Sequence, residues 1–191
     1  MSEVNPSVYL NNQFLIAMPL LTDPYFAHAV TYICEHNENG AIGIVINQPL
    51  ELELAEVFKQ MEIEVADSMI GNLPVLCGGP MHPERGFVLH TPSEIAWRSS
   101  LEMSSEICVT TSRDILQAIA KNEGPKEMLI SLGYANWAAG QLEQEIINNF
   151  WLTAPVSTDI LFKLPFNKRW EAAIHSIGVD ISKLSDIAGH S

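Results

Sequence analysis

Two apolar segments joined by a polar turn constrain the fold of this chain more than any other stretch. Ala29–His36 and Ala41–Ile46 are rich in β-branched and other strand-forming residues, and Asn39-Gly40 between them is a hairpin turn signal. Gly43, inside the second segment, indicates a bulge or a close approach of another backbone. The two segments are therefore predicted to pair as an antiparallel β-hairpin.

The rest of the chain mixes further strands with short helices and does not alternate steadily between them. Apolar residues at i, i+3, i+4 and i+7 predict a helix from Leu54 to Met61, and Ser112 is expected to cap another one. A strand over Met128–Leu132 is expected to end in a tight corner at Gly133–Trp137, before a helix over Ala138–Asn148. This order favours an α+β fold with a mixed, largely antiparallel sheet.

The length of 191 residues suits a single domain over residues 1–191. Residues 1–12 are polar and rich in Asn, so we expect a loose N-terminal arm, and residues 183–191 are expected to form a soft C-terminal tail.

The formal net charge is −13, from 23 acidic and 10 basic residues, and residues 1–58 contain no Lys or Arg. Binding to nucleic acid requires clustered basic side chains, so direct DNA binding is disfavoured, as is adsorption to anionic lipid.

The same lack of early basic residues argues against a signal peptide, and no apolar run approaches the ~18 residues that span a membrane. The three cysteines, Cys34, Cys77 and Cys108, are far apart and form no C-x-x-C motif. They are typical of reduced thiols, and we predict a cytoplasmic protein without a membrane segment.

The sharpest enzymatic hypothesis concerns Cys77-Gly78-Gly79-Pro80, where a thiol precedes a flexible turn rich in amide groups. Such a turn can direct N–H groups at an anion, and a histidine could activate the thiol. Cys77, His36 and His90 are the catalytic candidates, in a cleft between this turn and the Tyr32–Asn47 hairpin. The interpretation that we favour is a tight turn beside a buried cysteine, with no catalysis.

Five residues are candidates for binding a ligand. They are Glu35, Asn47, Gly78, Gly79 and Arg85.

Cys34 and His36 would share one face of a regular strand, and a metal site there would need His82 or His90 as a third ligand. No spacing supports the third ligand, so hydrogen-bonded histidines are favoured, and neither a metal nor a cofactor is predicted. Glu35 and His36 are neighbours on a strand and are expected to point to opposite faces.

Ten short segments, in order along nearly the whole chain, resemble the YqgE/AlgH family of bacterial proteins. The segments are Phe14–Pro19, Asp23–Phe26, Tyr32–Asn37, Gly40–Asn47, Gly78–Pro80, Arg85–His90, Thr110–Ser112 with Asp114–Leu116, Leu132–Tyr134 with Trp137, Gly140–Glu143 and Trp151–Thr153. The resemblance implies one α+β domain whose bent, mixed sheet folds toward a pseudo-barrel with helices packed around it. Gln48 is a departure, because the family often has Arg or Lys before the proline that is Pro49 here.

The resemblance implies a bacterial, cytoplasmic protein but no established reaction, although the family carries the label of transcriptional regulator. We expect a regulatory or interaction role through a protein partner, without catalysis. The alternatives are a small-ligand binder or enzyme that uses the predicted cleft and, third, a DNA-binding regulator.

Overall fold

The computed structural model describes residues 8–187. The strands are β1 (Gln13–Ala17), β2 (Val30–Asn37), β3 (Gly40–Val45), β4 (Pro49–Glu53), β5 (Pro74–Cys77), β6 (Met81–His90), β7 (Ser100–Glu102), β8 (Cys108–Thr110), β9 (Met128–Ala138) and β10 (Trp151–Pro155). The helices are α1 (Leu54–Gln60), α2 (Ser68–Gly71), α3 (Arg113–Ala120), α4 (Gln141–Ile147), α5 (Phe166–Ser176) and α6 (Ile181–Ile187), with a π-helical turn at Asp159–Lys163. None of the helices in this part of the chain is both long and apolar enough to cross a membrane.

The strands form one curled sheet in the order β10-β1-β2-β3-β9-β6-β8-β7, and β5 joins β9 from the side together with β4. The β5–β9 pair is parallel, whereas the other pairs are antiparallel within the described residues. The predicted α+β class and the mixed, largely antiparallel sheet are therefore confirmed, and the sheet curls into a half-barrel.

Strand β9 connects the two halves of the sheet. Its first part pairs with β6, from Met128↔His90 to Leu132↔Gly86, and its last part pairs with β3. Gly133 lies at the junction with a φ of 77°, a left-handed value that glycine adopts without penalty. The predicted strand end at Gly133 is therefore wrong, because the glycine bends the strand without breaking it, and α4 begins only at Gln141.

Three apolar clusters fill the space around the sheet. The first lies against α5 and includes Phe14, Tyr32 and Leu89. The second lies under α4 around Trp137, and the third lies under α1 and α3 around Phe58. The hairpin is buried on both faces, which is why its strands read as nearly continuous apolar runs.

A bulge in β2 changes the direction of the side chains that follow it. The register with β3 shifts between Ile33 and Glu35, so one extra residue is inserted there. Cys34 and Glu35 line one cavity as a result, whereas His36 contacts α4 on the other face. The expected common face of Cys34 and His36 is therefore wrong, and the opposite directions of Glu35 and His36 are confirmed.

The two chain ends differ from the expectation where the structure describes them. The Asn11 side chain accepts from the backbone N–H of His36 and donates to the carbonyl oxygen of the same residue. The Tyr32 hydroxyl donates to Asn12 Oδ1 at 2.7 Å. Residues 10–12 are thus held on β2 rather than loose, while residues 1–7 lie outside the described part. Residues 183–187 of the expected soft tail belong to α6, and residues 188–191 again lie outside.

Candidate functional site

Two neighbouring cavities open beside β6 and β8. The larger, which we call the β7 cavity, has a volume of about 450 Å³, and the smaller, the α3 cavity, about 380 Å³. The β7 cavity is lined by Cys34, Glu35, Ile42, Ile44, Phe87, Arg98, Ser99, Ser100, Leu101, Met103, Val109 and Thr111. The α3 cavity lies between α1, α3 and β6, and it shares Phe87 and Thr111 with the first. The two cavities therefore have a common wall.

Charged groups are few on the walls of the β7 cavity. Arg98 and Glu35 are the two ionisable side chains there besides Cys34. The backbone N–H of Arg98 donates to Asp114 Oδ2 at 2.8 Å, which fixes the segment that enters β7. Within residues 8–187 the Arg98 guanidinium forms no ion pair, although its charge acts on the nearby Asp114 carboxylate.

A chain of hydrogen bonds leads from the β7 cavity into the protein. Ser100 and Thr110 are opposite each other in the β7–β8 pair, and their hydroxyl oxygens are 2.9 Å apart. Thr110 Oγ1 is 2.7 Å from Nε2 of His90, whose Nδ1 is 2.8 Å from the carbonyl oxygen of Thr91. Burial lowers the pKa of His90, and the bond to the Thr91 carbonyl only partly opposes this effect. The imidazole is thus neutral at neutral pH.

Comparison with known proteins shows to which family this chain is related. A profile of the AlgH-like family matches residues 14–182. The chain belongs to the AlgH-like family. The resemblance found from the ten sequence segments is therefore confirmed.

Relatives cover nearly the full length of this AlgH-like protein. A UPF0301 protein of Thioalkalivibrio sulfidiphilus is 59% identical over 180 residues, which is 94% of this chain and 96% of the relative. A UPF0301 protein of Methylococcus capsulatus is 54% identical over 182 residues, covering 95% and 96%.

Two solved structures have the same fold. The solution structure of the AlgH protein from Pseudomonas aeruginosa superimposes with a TM-score of 0.78 at 48% identity, over 100% of both chains. The crystal structure of a Corynebacterium diphtheriae protein gives 0.72 at 20% identity, covering 92% of this chain and 91% of that one. The second likeness is one of fold alone.

The three catalytic candidates of this AlgH-like chain lie at different points along β9. His90 pairs with Met128 at its start, and Cys77 pairs with Leu132 near its middle. His36 pairs with Ala41, whose other partner, Trp137, is near the end of β9. Nine positions of β9 separate the two histidine positions, His36 contacts α4, and none of the three candidates lines either cavity. The structure therefore does not bring the three together in one cleft.

His36 is committed to structural bonds on both ring nitrogens. Its Nδ1 accepts from the Leu10 N–H at 3.0 Å, so Nε2 carries the hydrogen of the neutral ring and donates to Glu143 Oε1 at 2.7 Å. The ring is buried, and Tyr9 packs edge-on against it at 5.2 Å between centroids. His36 thus fastens the start of the described chain to α4.

Two of the three thiols are held in the protonated form by burial. Burial, with the nearby Glu35 carboxylate, raises the pKa of Cys34 to about 12, and burial raises the pKa of Cys108 as well. A thiolate is the reactive form of cysteine, so neither group is an activated nucleophile at neutral pH. The Cys77 sulfur is half-buried and lies 3.8 Å from the Gly79 carbonyl oxygen.

The glycine turn after Cys77 is filled by β9 rather than by a ligand. A Cβ on Gly78 would lie 2.3 Å from the Gly133 carbonyl oxygen, and one on Gly79 would lie 2.3 Å from the Tyr134 carbonyl carbon. The Gly78 N–H donates to the Leu132 carbonyl oxygen at 2.8 Å. The structure gives these two glycines a close backbone approach to β9, and their role in binding stays a prediction.

The remaining predicted ligand residues are dispersed. Glu35 lines the β7 cavity, whereas Arg85 is exposed on β6 and lines neither cavity. Asn47 accepts from the Val30 N–H and donates to the His28 carbonyl oxygen, so it closes the loop before β2. Among residues 8–187, no three His, Cys, Asp or Glu side chains are grouped so that they could hold a metal.

Sequence reasoning missed Arg98, Ser100 and Thr110 as site residues. Ser100 and Glu102 alternate with Leu101 and Met103, a period-2 pattern that could have indicated β7. The pairing of Ser100 with Thr110 depends on the register of two three-residue strands, and no spacing rule gives that register.

Proposed function

We propose that this AlgH-like protein binds a small, mainly apolar molecule that carries an oxygen acceptor, such as a carboxylate or an ester. The observation that carries the proposal is the β7 cavity, where apolar walls meet an arginine with no ion pair in the described residues. Volumes of about 450 and 380 Å³ fall in the usual range for small-molecule sites.

The two charges of the β7 cavity give the ligand an orientation. Arg98 precedes β7, whereas Glu35 lies in a different strand of the cavity wall, β2. The acceptor group is placed at Arg98, where a charge-assisted hydrogen bond stabilises it. The apolar part lies along Phe87 and Thr111 toward the α3 cavity.

Octanoate is a suitable probe, since it combines an apolar chain with a carboxylate. A ¹⁵N-labelled NMR titration is expected to shift amide signals of β6, β7 and β8 first. Thr111→Trp fills the common wall and should abolish these shifts. Thr153→Trp, the same substitution at an exposed threonine on β10, should leave them unchanged. Shifts that persist in Thr111→Trp would place the octanoate elsewhere and overturn the proposal.

The role of Arg98 is tested separately. Arg98→Gln is expected to weaken octanoate binding about tenfold, as for loss of one charge-assisted bond, while affecting octanol less. Arg85→Gln removes a charge from an exposed arginine outside both cavities and is the matched control. Equal losses in both variants would show a general charge effect and contradict the assignment of Arg98.

A second candidate function is favoured by the outer edge of β7. This strand ends the sheet, and its central residue, Leu101, is 69% exposed. An extended segment of a protein partner could add to such an edge, and the net charge of −13 favours a basic segment. We place this role in the cytoplasm, with the three free cysteines as support.

Affinity capture with paired variants tests this candidate. The same partner should bind the wild-type protein and Ile147→Glu, an exposed position on α4, but not Leu101→Glu. A partner retained by Leu101→Glu, or no reproducible partner at moderate salt, would contradict a role for this edge.

A further inference from the structure

The direction of every hydrogen bond between His90 and Ser100 is fixed by counting donors. The Thr91 carbonyl can only accept, so Nδ1 of His90 carries a hydrogen, and the neutral ring must accept at Nε2. Thr110 has one hydroxyl hydrogen, which Nε2 takes, so the Thr110 oxygen accepts from Ser100. The Ser100 hydrogen therefore points into the protein, and its oxygen lone pairs remain on the cavity side.

Exposure changes steeply along this chain of groups. His90 is 1% exposed and Thr110 0%, whereas Ser100 is exposed on the wall of the β7 cavity. A molecule in the cavity can reach only the serine, while the base behind it is shielded from water. This is the order that nucleophilic catalysis needs, with an accessible hydroxyl and a base that removes its proton.

We propose that Ser100 is an activated nucleophile that accepts acyl groups, with Thr110 passing its proton to His90. The proposal rests on the proposed function in one respect, that the substrate is an ester whose apolar part occupies the β7 cavity. Arg98 lies in the same cavity and stabilises the negative charge that develops on the carbonyl oxygen.

The chemical step balances without a cofactor. Ser100 Oγ attacks the ester carbonyl carbon and forms a new C–O bond, while its proton moves to Thr110 and the Thr110 proton moves to His90 Nε2. The bond to the alcohol oxygen breaks, and this oxygen leaves with the electron pair and takes a proton from a water molecule in the cavity. The hydroxide formed in this way attacks the carbonyl carbon of the acyl-serine, the bond to Ser100 Oγ breaks, and this oxygen recovers its proton from His90 through Thr110. Ester and water thus give acid and alcohol.

Among the titratable groups near the relay, His90 is the one that we assign as the base. Cys108 faces His90 across the β6–β8 pair, and burial raises the pKa of this thiol, so it adds no charge at neutral pH. Glu102 is exposed at the far end of β7, where it pairs with Cys108. It is two positions along β7 from Ser100.

The serine reagent diisopropyl fluorophosphate tests the proposal directly on the full-length protein. Attack by Ser100 forms an O–P bond and breaks the P–F bond, releasing fluoride, so intact-mass and peptide-mapping spectra report the adduct. We expect one adduct, on Ser100, that is lost in Ser100→Ala. Ser105→Ala removes an exposed serine in the turn after β7 and should leave the labelling rate unchanged.

Two substitutions of Thr110 distinguish a proton relay from a purely structural network of hydrogen bonds. Thr110→Val keeps the shape but removes the hydroxyl, and it should slow labelling about 100-fold, the lower end of acid–base contributions. Thr110→Ser keeps a hydroxyl and should restore most of the rate. The wild-type rate should also fall as the pH drops through the lowered pKa of His90.

Three results would overturn the proposal: no adduct on Ser100, an equal adduct on Ser105, or a wild-type rate in Thr110→Val. The proposed binding function is tested separately from the nucleophile, because the octanoate titration and the labelling give independent results. Octanoate binding without labelling would retain the binding role and remove the nucleophile, whereas labelling without octanoate binding would do the reverse.

Discussion

At the scale of the residue, one carboxylate organises the aromatic core under α4. Glu145 Oε2 accepts from Trp137 Nε1 at 2.9 Å and from Trp151 Nε1 at 2.8 Å, and Gln141 donates to Oε1. The two indole rings meet edge-on with centroids 6.0 Å apart. A buried indole N–H needs an acceptor, so one side chain satisfies both tryptophans.

Glu145→Ala is expected to lower the free energy of unfolding by about 2–4 kcal/mol, because two indole donors lose a charged acceptor. Gln144→Ala, at the exposed neighbouring position of α4, is the control and should cost under about 0.5 kcal/mol. Urea unfolding followed by tryptophan fluorescence measures both. Equal costs would show that the indoles find other acceptors.

His90 should make stability depend on pH in a defined direction. Burial lowers its pKa in the folded protein, whereas an unfolded histidine titrates near about 6.5. Between these values the unfolded state binds more protons, so the stabilisation is complete above about 6.5 and is lost as the pH falls through the folded value. Urea midpoints at pH 7 and about 5.5 should differ more for the wild type than for His90→Gln. An equal difference in the wild type and in His90→Gln would show that His90 does not cause the pH dependence.

At the scale of the element, the sequence predicted the strands of the hairpin well and the direction of their side chains poorly. The apolar runs of β2 and β3 are long enough to identify both strands. The bulge between Ile33 and Glu35 has no equally clear signal, and it reverses the face of every later residue in β2. The expectation that Cys34 and His36 share one face of β2 is wrong for this reason.

The candidate site was less predictable than the fold, because it depends on a strand with almost no sequence signal. Strand β7 has three exposed residues, and its pairing with β8 is what brings Ser100 to Thr110. His90 was identified as a candidate from its residue type alone. Its partners are 10 or more positions away or are backbone atoms, so they followed only from the register.

Two glycines with nearly equal φ values offer a test of the β9 bend. Gly133 has a φ of 77° and Gly140 one of 75°, but a Cβ on Gly133 would lie 2.5 Å from the Gly79 carbonyl oxygen, while one on Gly140 would meet nothing within 4 Å. Gly140→Ala should cost about 1 kcal/mol for the left-handed backbone. Gly133→Ala should cost at least about 2 kcal/mol more through the clash. Similar unfolding midpoints would show that β9 can shift away from the glycine turn.

At the scale of the whole molecule, the net charge argues against direct DNA binding, although the family carries the label of transcriptional regulator. A net charge of −13 repels the phosphate backbone, and contacts to phosphate supply most nonspecific affinity. We expect no retardation of duplex DNA in a mobility-shift assay at low salt, up to about 100 μM protein, the weak end of nonspecific binding. Retardation that disappears with added salt would contradict this expectation and return DNA binding to consideration.

The bend at Gly133 also restricts how an AlgH-like chain can change its length. Inserting one residue before this glycine would move it away from Gly79, and every side chain between the insertion and the bend would change faces. Insertions and deletions among natural members of the family should therefore fall in the loops and leave β9 at constant length. A circularly permuted protein should likewise fold with new ends in the loop after β7, and fail with new ends inside β9.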